Sequence, residues 1–587
     1  MTDNRTVIPR PEHPNPQFRR DRWRNLNGEW EFEYDHSVSG IPRRMFENGD
    51  FTRRILVPFC PESAESGIGN LDFIPACWYR RTFSVSREEL EGDVILHFGA
   101  VDYEAHVWIN GEEAGTHRGG YTSFEFEISK LLHAGENTVV VCAIDDVRSG
   151  LQPSGKQSDR YYPYECFYTR TTGIWQTVWL EFAPRTRIDS VRYLPNVAEG
   201  SVAIEANLIG AGEFAASVSF EGRACGKASV RCNGGVATLE VPLSERHLWG
   251  PGEGNLYDVT LTYSDDEVHS YFGLREVRVD GRRVLINGQS VFQRLVLDQG
   301  FYPTGIYTAP TAADLERDIE LSMAAGFNGA RLHEKVFEPL FLYYCDKHGY
   351  LAWGEMPNWG LDVSDPATYA TFIPEWAEAV QRDRNHPSIV GWCPFNETWP
   401  YKGRRQNDDL LRMAYETAKA LDPTRPCIDT SGFFHVVSDI YDVHDYEQDT
   451  DRFIEHYAAF GAGTGTYQDK HREENTLQYE DGTPFFVSEY GGIKWIPEWM
   501  RDQNDSWGYG DAATSEAEFM ERYRILTEAL MGNPKMFGFC YTQLYDVEQE
   551  RNGLYSYERR AKVDIDAIHR INEQPAAIES VDGEAKE

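Results

Sequence analysis

Two rhythms of apolar residues divide the chain. Up to about residue 276 they come in short alternating runs; beyond it, runs of strand length take turns with stretches of helical spacing. In the first part, Val94-Ile-Leu-His-Phe98, Ala105-His-Val-Trp-Ile109 and Thr138-Val-Val-Val-Cys-Ala-Ile144 are β-prone. Asn110-Gly111 predicts a hairpin, because both residues tolerate positive φ. Residues 1–185 are therefore expected to form a β-sandwich. From 186 to 276 the alternation is simpler: Val202, Ile204, Ala206 and Leu208 share one face, as do Leu239, Val241 and Leu243. That is the pattern of a half-buried antiparallel sheet. It predicts an immunoglobulin-like sandwich without a chemical signature, a spacer packed against its neighbours.

After Asp280-Gly281 and a second hairpin signal, Asn287-Gly288, strands and helices alternate. Val291-Phe-Gln-Arg-Leu-Val-Leu297 reads as a strand. Thr311-Ala-Ala-Asp314 opens a helix as a capping box, with Leu315, Ile319 and Met323 on one face and Gly326 beyond its end. Further strands are expected to begin near Gly329, Leu351, Ile389, Pro426, Ile440, Phe485 and Met536, with helices around 339–348, 369–384, 408–421 and 515–531. Eight strand–helix units over 277–587 predict a (β/α)8 TIM barrel, whose reactive groups lie at the C-terminal strand ends.

Two of those strands end in glutamate. Pro387 fixes a turn in Asn385-His-Pro-Ser388. Ile389, Val390, Trp392 and Phe395 then make an apolar run suited to a parallel strand covered on both faces, and Asn396-Glu397 closes it. A carboxylate there is a helix N-cap or a reactive group at the barrel mouth. Phe485-Phe-Val-Ser-Glu489-Tyr-Gly-Gly492 repeats the arrangement and tips the reading toward chemistry. Hydrolysis of a glycosidic bond needs an acid for the leaving oxygen and a carboxylate at the anomeric carbon; a separation of about 5–5.5 Å means retention through a covalent glycosyl-enzyme. Glu397 is read as the general acid/base, with Trp392, Phe395 and Trp399 raising its pKa and Asn396 donating to a sugar hydroxyl. Glu489 is read as the nucleophile, kept ionised by its neighbours, while Gly491-Gly492 lets substrate approach.

Composition narrows the partners. With 41% hydrophobic and 13% aromatic residues among 587, the chain is folded and multi-domain. The aromatics fit sugar-stacking surfaces or large β-rich cores. Against 57 basic residues stand 94 acidic ones, a net charge of −37 that repels nucleic acid and anionic lipid, so neither is an expected partner. The ten cysteines show no CxxC pair or zinc spacing and read mostly as free buried thiols. Met1-Thr-Asp-Asn-Arg-Thr6 lacks the apolar stretch of a signal peptide, and no run approaches the roughly 18 apolar residues that span a bilayer. A soluble cytoplasmic protein is expected. No metal cluster or Ser/Cys–His arrangement of an amidase stands out among the 16 histidines, and a non-catalytic carbohydrate-binding protein would have lost one of the two glutamates.

Four motifs in chain order, Trp78-Tyr-Arg-Arg-Thr-Phe83, Thr172-Gly-Ile-Trp175, Asn385-His-Pro-Ser388 with Asn396-Glu397, and Ser488-Glu489-Tyr490-Gly491, resemble glycoside hydrolase family 2. That family includes β-galactosidases, β-glucuronidases and β-mannosidases, and the resemblance covers nearly the whole length. It implies a jelly-roll sugar-binding domain, an immunoglobulin-like domain and a TIM barrel, with Glu397 as acid/base and Glu489 as nucleophile. It also implies a substrate-facing histidine, here His333 of Arg331-Leu-His333, although the spacing is one residue shorter than the common Arg-x-x-His. Arg331 either faces substrate or braces Glu489. In His444-Asp445-Tyr446, His444 and Tyr446 contact sugar hydroxyls, orient Glu489 or cap a loop. Asp298, Trp359, Gln543 and Asp546 follow strands one, three and eight, where sugar contacts arise, and Trp359 reads equally well as core.

Two departures bear on the sugar. The Asn-x-Lys motif by which β-glucuronidases grip a carboxylate has no lysine in Arg551-Asn-Gly-Leu-Tyr-Ser-Tyr557, which disfavours a uronic acid. Glu355-Met-Pro-Asn-Trp359 lacks the Glu-x-His pair of magnesium-dependent β-galactosidases, so no catalytic metal and no cofactor are expected. The expected substrate is an oligosaccharide or glycoside with a neutral terminal sugar. β-D-Galactosides lead, β-galactofuranosides, α-L-arabinosides and β-mannosides stay open, and so does homo-oligomer formation.

Overall fold

The alternation of the first segment closes into two antiparallel sheets in the computed structural model, which describes residues 8–464, 474, 476–500 and 506–580. One sheet orders Arg53–Val57, Gly28–Tyr34, Ala76–Val85, Gly135–Ile144, Glu104–Ile109 and Glu112–Arg118; the other orders Trp23–Asn25, Val178–Ala183, Asp93–Phe98 and Phe124–Glu127. Trp30, Phe32, Tyr79, Leu96, Phe98 and Val141 fill the space between them. Asn110 and Gly111 take φ of 53° and 86° at the expected hairpin. Arg81 lies 5.9 Å over the Trp30 ring and donates to the carbonyls of Leu26 and Asn27. This cation–π contact holds the sandwich together internally.

The second sandwich packs Arg187–Asn196, Ser201–Ile209 and Gly235–Pro242 against Arg223–Cys232, Gly212–Phe220, Tyr257–Tyr263 and Asp266–Phe272. Val202, Ile204, Ala206, Leu208, Leu239 and Val241 are buried as their alternation predicts, and Leu243 is half-buried at the rim. Its neighbour is the barrel. Asn385 donates from Nδ2 to the Val191 carbonyl at 2.9 Å and accepts from the Tyr193 N–H at 3.0 Å. Asp346 accepts from the Ser388 N–H at 2.9 Å and meets His386 Nδ1 at 2.6 Å. The Asn385–Ser388 turn thus fastens a barrel strand to the spacer at the end remote from Glu397.

The barrel strands are β1 (Gln293–Asp298), β2 (Gly329–Leu332), β3 (Leu351–Glu355), β4 (Ile389–Cys393), β5 (Thr430–Ser431), β6 (Tyr441–Asp445), β7 (Phe485–Gly491) and β8 (Met536–Thr542). Seven form a curled parallel sheet in the order β4-β3-β2-β1-β8-β7-β6. β5 pairs with Phe395–Asn396, the continuation of β4, and is tied to β6 by the Ser431 hydroxyl and the Gly432 N–H, which donate to Asp442 at 2.7 and 3.0 Å. The strand expected near Pro426 is shortened, because Asp429 bends the chain by accepting from the Val436 and Val437 N–H groups at 2.6 and 3.0 Å. No helix fits in 432–440, so seven helices of two or more turns, not eight, surround the barrel among the described residues. They are α1 (Ala312–Ala324), α2 (Pro339–His348), α3 (Tyr369–Asp383), α4 (Asp408–Leu421), α5 (Thr450–Gly461), α6 (Glu516–Met531) and α7 (Ile565–Asn572). Helix α7 and helix α5 lie outside the stretches expected to be helical. Asp449 caps α5 through the N–H groups of Asp451 and Arg452, and Phe453, Tyr457 and Phe460 are its buried face.

All ten cysteines are unpaired, and all but Cys166 and Cys232 are buried. Among the described residues, no helix is long and apolar enough to cross a membrane.

Candidate active site

The two glutamates predicted at strand ends meet at the C-terminal mouth of the barrel. Glu397 follows Phe395–Asn396 with φ +42°, in the left-handed region that costs a non-glycine residue roughly 1–3 kcal/mol and is found where structure over-determines it. Two hydrogen bonds do so here: the Glu397 N–H donates to the Ser431 carbonyl on β5 at 3.0 Å, and the Trp399 N–H donates to the Glu397 carbonyl at 2.7 Å. The carboxylate then has two partners, His444 Nδ1 2.7 Å from Oε1 and Trp399 Nε1–H donating to Oε2 at 3.0 Å.

Burial pushes the Glu397 carboxyl upward, but the hydrogen bond and charge of His444, the charge of Lys156 and the Trp399 bond outweigh it and hold the pKa at about 2. This corrects the expectation of a raised pKa. Trp392 is engaged with Asp422 at 2.9 Å and Phe395 stacks on Phe372 at 4.4 Å. Of the three aromatics expected to desolvate Glu397, only Trp399 touches it, and it donates a hydrogen bond that favours the charged form.

Glu489, on β7, accepts from Arg331 Nη1 at 3.0 Å through Oε1 and from the Tyr446 hydroxyl through Oε2. His444 Nδ1 is 3.4 Å from the same Oε2. His444 therefore sits between the carboxylates, and the ligating atoms of Glu397, His444 and Glu489 all lie within 4.8 Å of one another. The same three residues have the donor set and spacing to hold a metal ion, in which case the ion would occupy the groups that acid/base chemistry needs free. Behind His444, Nε2 meets Ser431 Oγ at 3.0 Å, and that hydroxyl donates to Asp442 at 2.7 Å.

Arg331 braces the constellation from β2. Its guanidinium donates to Glu355 at 2.6 Å, to the Ser488 carbonyl at 2.8 Å and to Asn396 Oδ1 at 3.0 Å, besides Glu489. Asn396 spends its N–H on Asn358 Oδ1 at 2.6 Å and its carbonyl on Asn358 Nδ2 and Trp359 Nε1. Its side-chain NH2 is the group left to donate. His333 lies 3.1 Å from Glu355 and 3.9 Å from Glu489; burial, then the charge of Lys156, holds it well below the usual imidazole range and so neutral. Tyr446 stacks flat on Tyr509, with ring centroids 3.5 Å apart.

A cavity of about 600 Å³ opens over Glu397, walled by Trp359, Trp399, Tyr401, Tyr446, Trp507 and Tyr509 and by Glu165–Phe167 of the first sandwich. Trp359 thus faces the cavity, with its N–H held by Glu334 at 3.1 Å. Asp298, Gln543 and Asp546 are not brought to the glutamates. Asp298 accepts from the Gly300 N–H and the Tyr545 hydroxyl at 2.9 and 2.5 Å. Gln543 bonds Gln299 and Asn552, both at 2.8 Å, and Asp546 is paired with Lys562 at 2.7 Å. Sequence reasoning missed Lys156, Glu355 as the partner of Arg331 and His333, and the Tyr509 and Trp507 walls. Of these only Glu355 carried a signal, since it closes β3.

The model of the family described as "Glycosyl hydrolases family 2, sugar binding domain" matches residues 66–184, and "Glycosyl hydrolases family 2, TIM barrel domain" matches 277–495. The chain belongs to glycoside hydrolase family 2. A beta-galactosidase of Thermoanaerobacter pseudethanolicus is 27% identical over 423 residues, covering 68% of this chain and 53% of that protein. A beta-glucuronidase of Sus scrofa is 27% identical over 468 residues, covering 70% and 69%. The chain thus spans between about half and two thirds of the length of these family 2 relatives. The beta-glucuronidase of an uncultured Clostridium sp. superposes with a TM-score of 0.76 at 19% identity, over 95% of this chain and 99% of that one. The Ruminococcus gnavus beta-glucuronidase in complex with D-glucuronic acid does so at 0.76 and 18%, over 96% and 100%. At such identity these structures establish the shared fold.

Proposed function

We propose that the chain is a retaining exo-glycoside hydrolase that removes a terminal sugar by double displacement. One distance carries the reading: an oxygen of Glu397 and one of Glu489 lie within 4.8 Å. Retaining enzymes hold their carboxyls about 5–5.5 Å apart, whereas inverting enzymes need about 6.5–9.5 Å to admit a water. Glu489, oriented by Arg331 and Tyr446, attacks the anomeric carbon. Glu397 protonates the leaving oxygen and, once the glycosyl-enzyme has formed, draws a proton from the attacking water. His444 Nδ1, 2.7 Å from Glu397 Oε1, is the side chain in direct contact with the acid/base and orients its carboxyl toward the leaving oxygen. Asn396, His333, His444, Tyr446 and Trp359 are the proposed sugar contacts, with Arg331 positioning Asn396 and Glu489.

The named relatives divide between beta-galactosidase and beta-glucuronidase. A β-linked terminal hexose therefore leads, either the neutral galactoside expected from the sequence or a uronide. Hydrolysis of nitrophenyl glycosides tests the reaction. Glu489→Ala should abolish turnover, and Glu397→Ala should regain it with azide, giving a glycosyl azide of retained configuration. Full activity in either variant, or an inverted first product by NMR, overturns the proposal.

A further inference from the structure

We infer that the terminal sugar carries a carboxylate and that Lys156, delivered by the first sandwich, pairs with it, given that Glu397 and Glu489 act as proposed. Lys156 is only 4% exposed. The other buried lysines among the described residues have oxygen partners. Lys335 donates to the Gly300 and Tyr307 carbonyls at 2.5 and 2.8 Å, Lys535 to Asp481 at 3.0 Å and Lys562 to Asp546 at 2.7 Å. Lys156 has no hydrogen-bond acceptor and no carboxylate within ion-pair range among the described residues. Its ammonium rests 3.8 Å from the centroid of Trp359, the ring that walls the cavity over Glu397. Burial acts against the charge of this ammonium, but the charges of Cys166, Glu550, Glu489 and Glu334 outweigh it and keep it protonated, while its three N–H donors find no acceptor among the described residues.

The lysine is held in the barrel mouth. Ser154 and Gly155 donate their N–H groups to the Trp359 carbonyl at 2.8 and 3.1 Å, and the Tyr168 N–H donates to the Lys156 carbonyl at 2.7 Å. Gly155 has φ +56°, and a Cβ there would meet the Glu334 carbonyl at 2.4 Å, so the loop presses on the barrel as closely as backbone allows. Gln157 anchors the other side, donating to Asp102 at 2.7 Å. From this position the charge of Lys156 acts on Glu397, Glu489, Glu334, Glu550 and His333.

Two of the surrounding acids are already engaged. Glu334 spends Oε2 on the Asn358 and Trp359 N–H groups, and burial pushes its carboxyl up to about 8, which keeps it neutral at pH 7. Glu550 is bonded to the Tyr168 hydroxyl and to Asn552, and burial pushes it up as well. Neither supplies a full counter-charge at hydrogen-bond distance. A sugar hydroxyl would use one donor without neutralising the ammonium, whereas a carboxylate accepts a charge-assisted bond roughly twice as strong. The inference therefore favours a uronide over the neutral sugar expected from the sequence.

The test compares nitrophenyl glycosides that differ only at C6: β-D-galacturonide against β-D-galactoside and β-D-glucuronide against β-D-glucoside. In one pair the wild type should favour the uronide in kcat/KM. Lys156→Gln should shrink that ratio about 10- to 100-fold, the worth of a hydrogen bond to a charged group, and Lys156→Arg should keep most of it. Preference for the neutral member of both pairs, or a ratio unmoved by Lys156→Gln, overturns the inference. If the wild type hydrolyses none of the four, neither a galacto- nor a gluco-configured pyranoside is the substrate, and calorimetry still decides this inference. Free D-galacturonate or D-glucuronate should bind the wild type more tightly than its neutral counterpart and lose that margin in Lys156→Gln; equal binding overturns it.

Discussion

Arg331 Nη1 lies 3.0 Å from Glu489 Oε1, and the same guanidinium holds Asn396 and Glu355 at 3.0 and 2.6 Å. One planar group from β2 therefore sets the nucleophile on β7 relative to the asparagine beside the acid/base on β4. A lysine offers a single point charge and cannot span the three directions. Arg331→Lys is expected to fold, because the buried charge on Glu355 keeps a cation, yet to lose about 100-fold or more in kcat as the reacting groups lose register. Circular dichroism with steady-state kinetics checks this. Near-wild-type kcat would mean that the strands alone fix the geometry.

Tyr446 acts on Glu489 through its hydroxyl, which also meets Thr542 Oγ1 at 3.0 Å, while its ring packs on Tyr509. Tyr446→Phe deletes the hydroxyl and keeps the stack. The expected result is an unchanged melting temperature and a kcat lowered roughly 10- to 100-fold with little change in KM, since one orienting hydrogen bond to the nucleophile is gone. A rise in KM with kcat intact would leave Tyr446 as a sugar contact only, with no part in orienting Glu489.

Asn385 belongs to the most specific motif of the sequence but points away from the chemistry, toward Val191 and Tyr193 of the second sandwich. Asn385→Ala strips both bonds and leaves a peptide N–H and a carbonyl without partners, a cost of about 1–3 kcal/mol each where water is excluded. Thermal unfolding should begin at lower temperature, and kcat/KM at an assay temperature below that onset should stay close to wild type. A selective loss of kcat would show that the docking of the spacer reaches the site.

What the sequence made legible follows from where each property is encoded. The positions of Glu397 and Glu489 come from local pattern, an apolar strand ending in a carboxyl, and the barrel brings such ends together whatever the loops do. Asp298, Gln543 and Asp546 also sit at strand ends, yet each is satisfied by Tyr545, Asn552 or Lys562; a strand end predicts where a side chain starts, not the partner it finds. The charge state of Glu397 was misread because it is set by His444, 47 residues away in sequence, rather than by Trp392 and Phe395 beside it. Lys156 had no local signature at all. A lone lysine in a loop acquires meaning only when another domain folds around it.

Glu375 shows the same dependence and gives a stability prediction with a definite sign. It lies on α3, fully buried; Oε1 accepts from the Tyr121 N–H of the first sandwich at 2.8 Å, and Oε2 has no partner among the described residues. Burial pushes its carboxyl from 4.5 up to about 8. Because the folded value exceeds the unfolded one, the contribution of this group to stability is complete below about pH 4.5 and is lost as pH rises to and past 8. Glu375→Gln keeps an acceptor for Tyr121 and removes the ionisation. The variant should therefore gain in melting temperature relative to wild type as pH is raised from 5 to 9, the difference growing through that window. A difference independent of pH would mean that Glu375 is ionised throughout, with a counter-charge on the sandwich side that its contacts with Tyr121 do not supply.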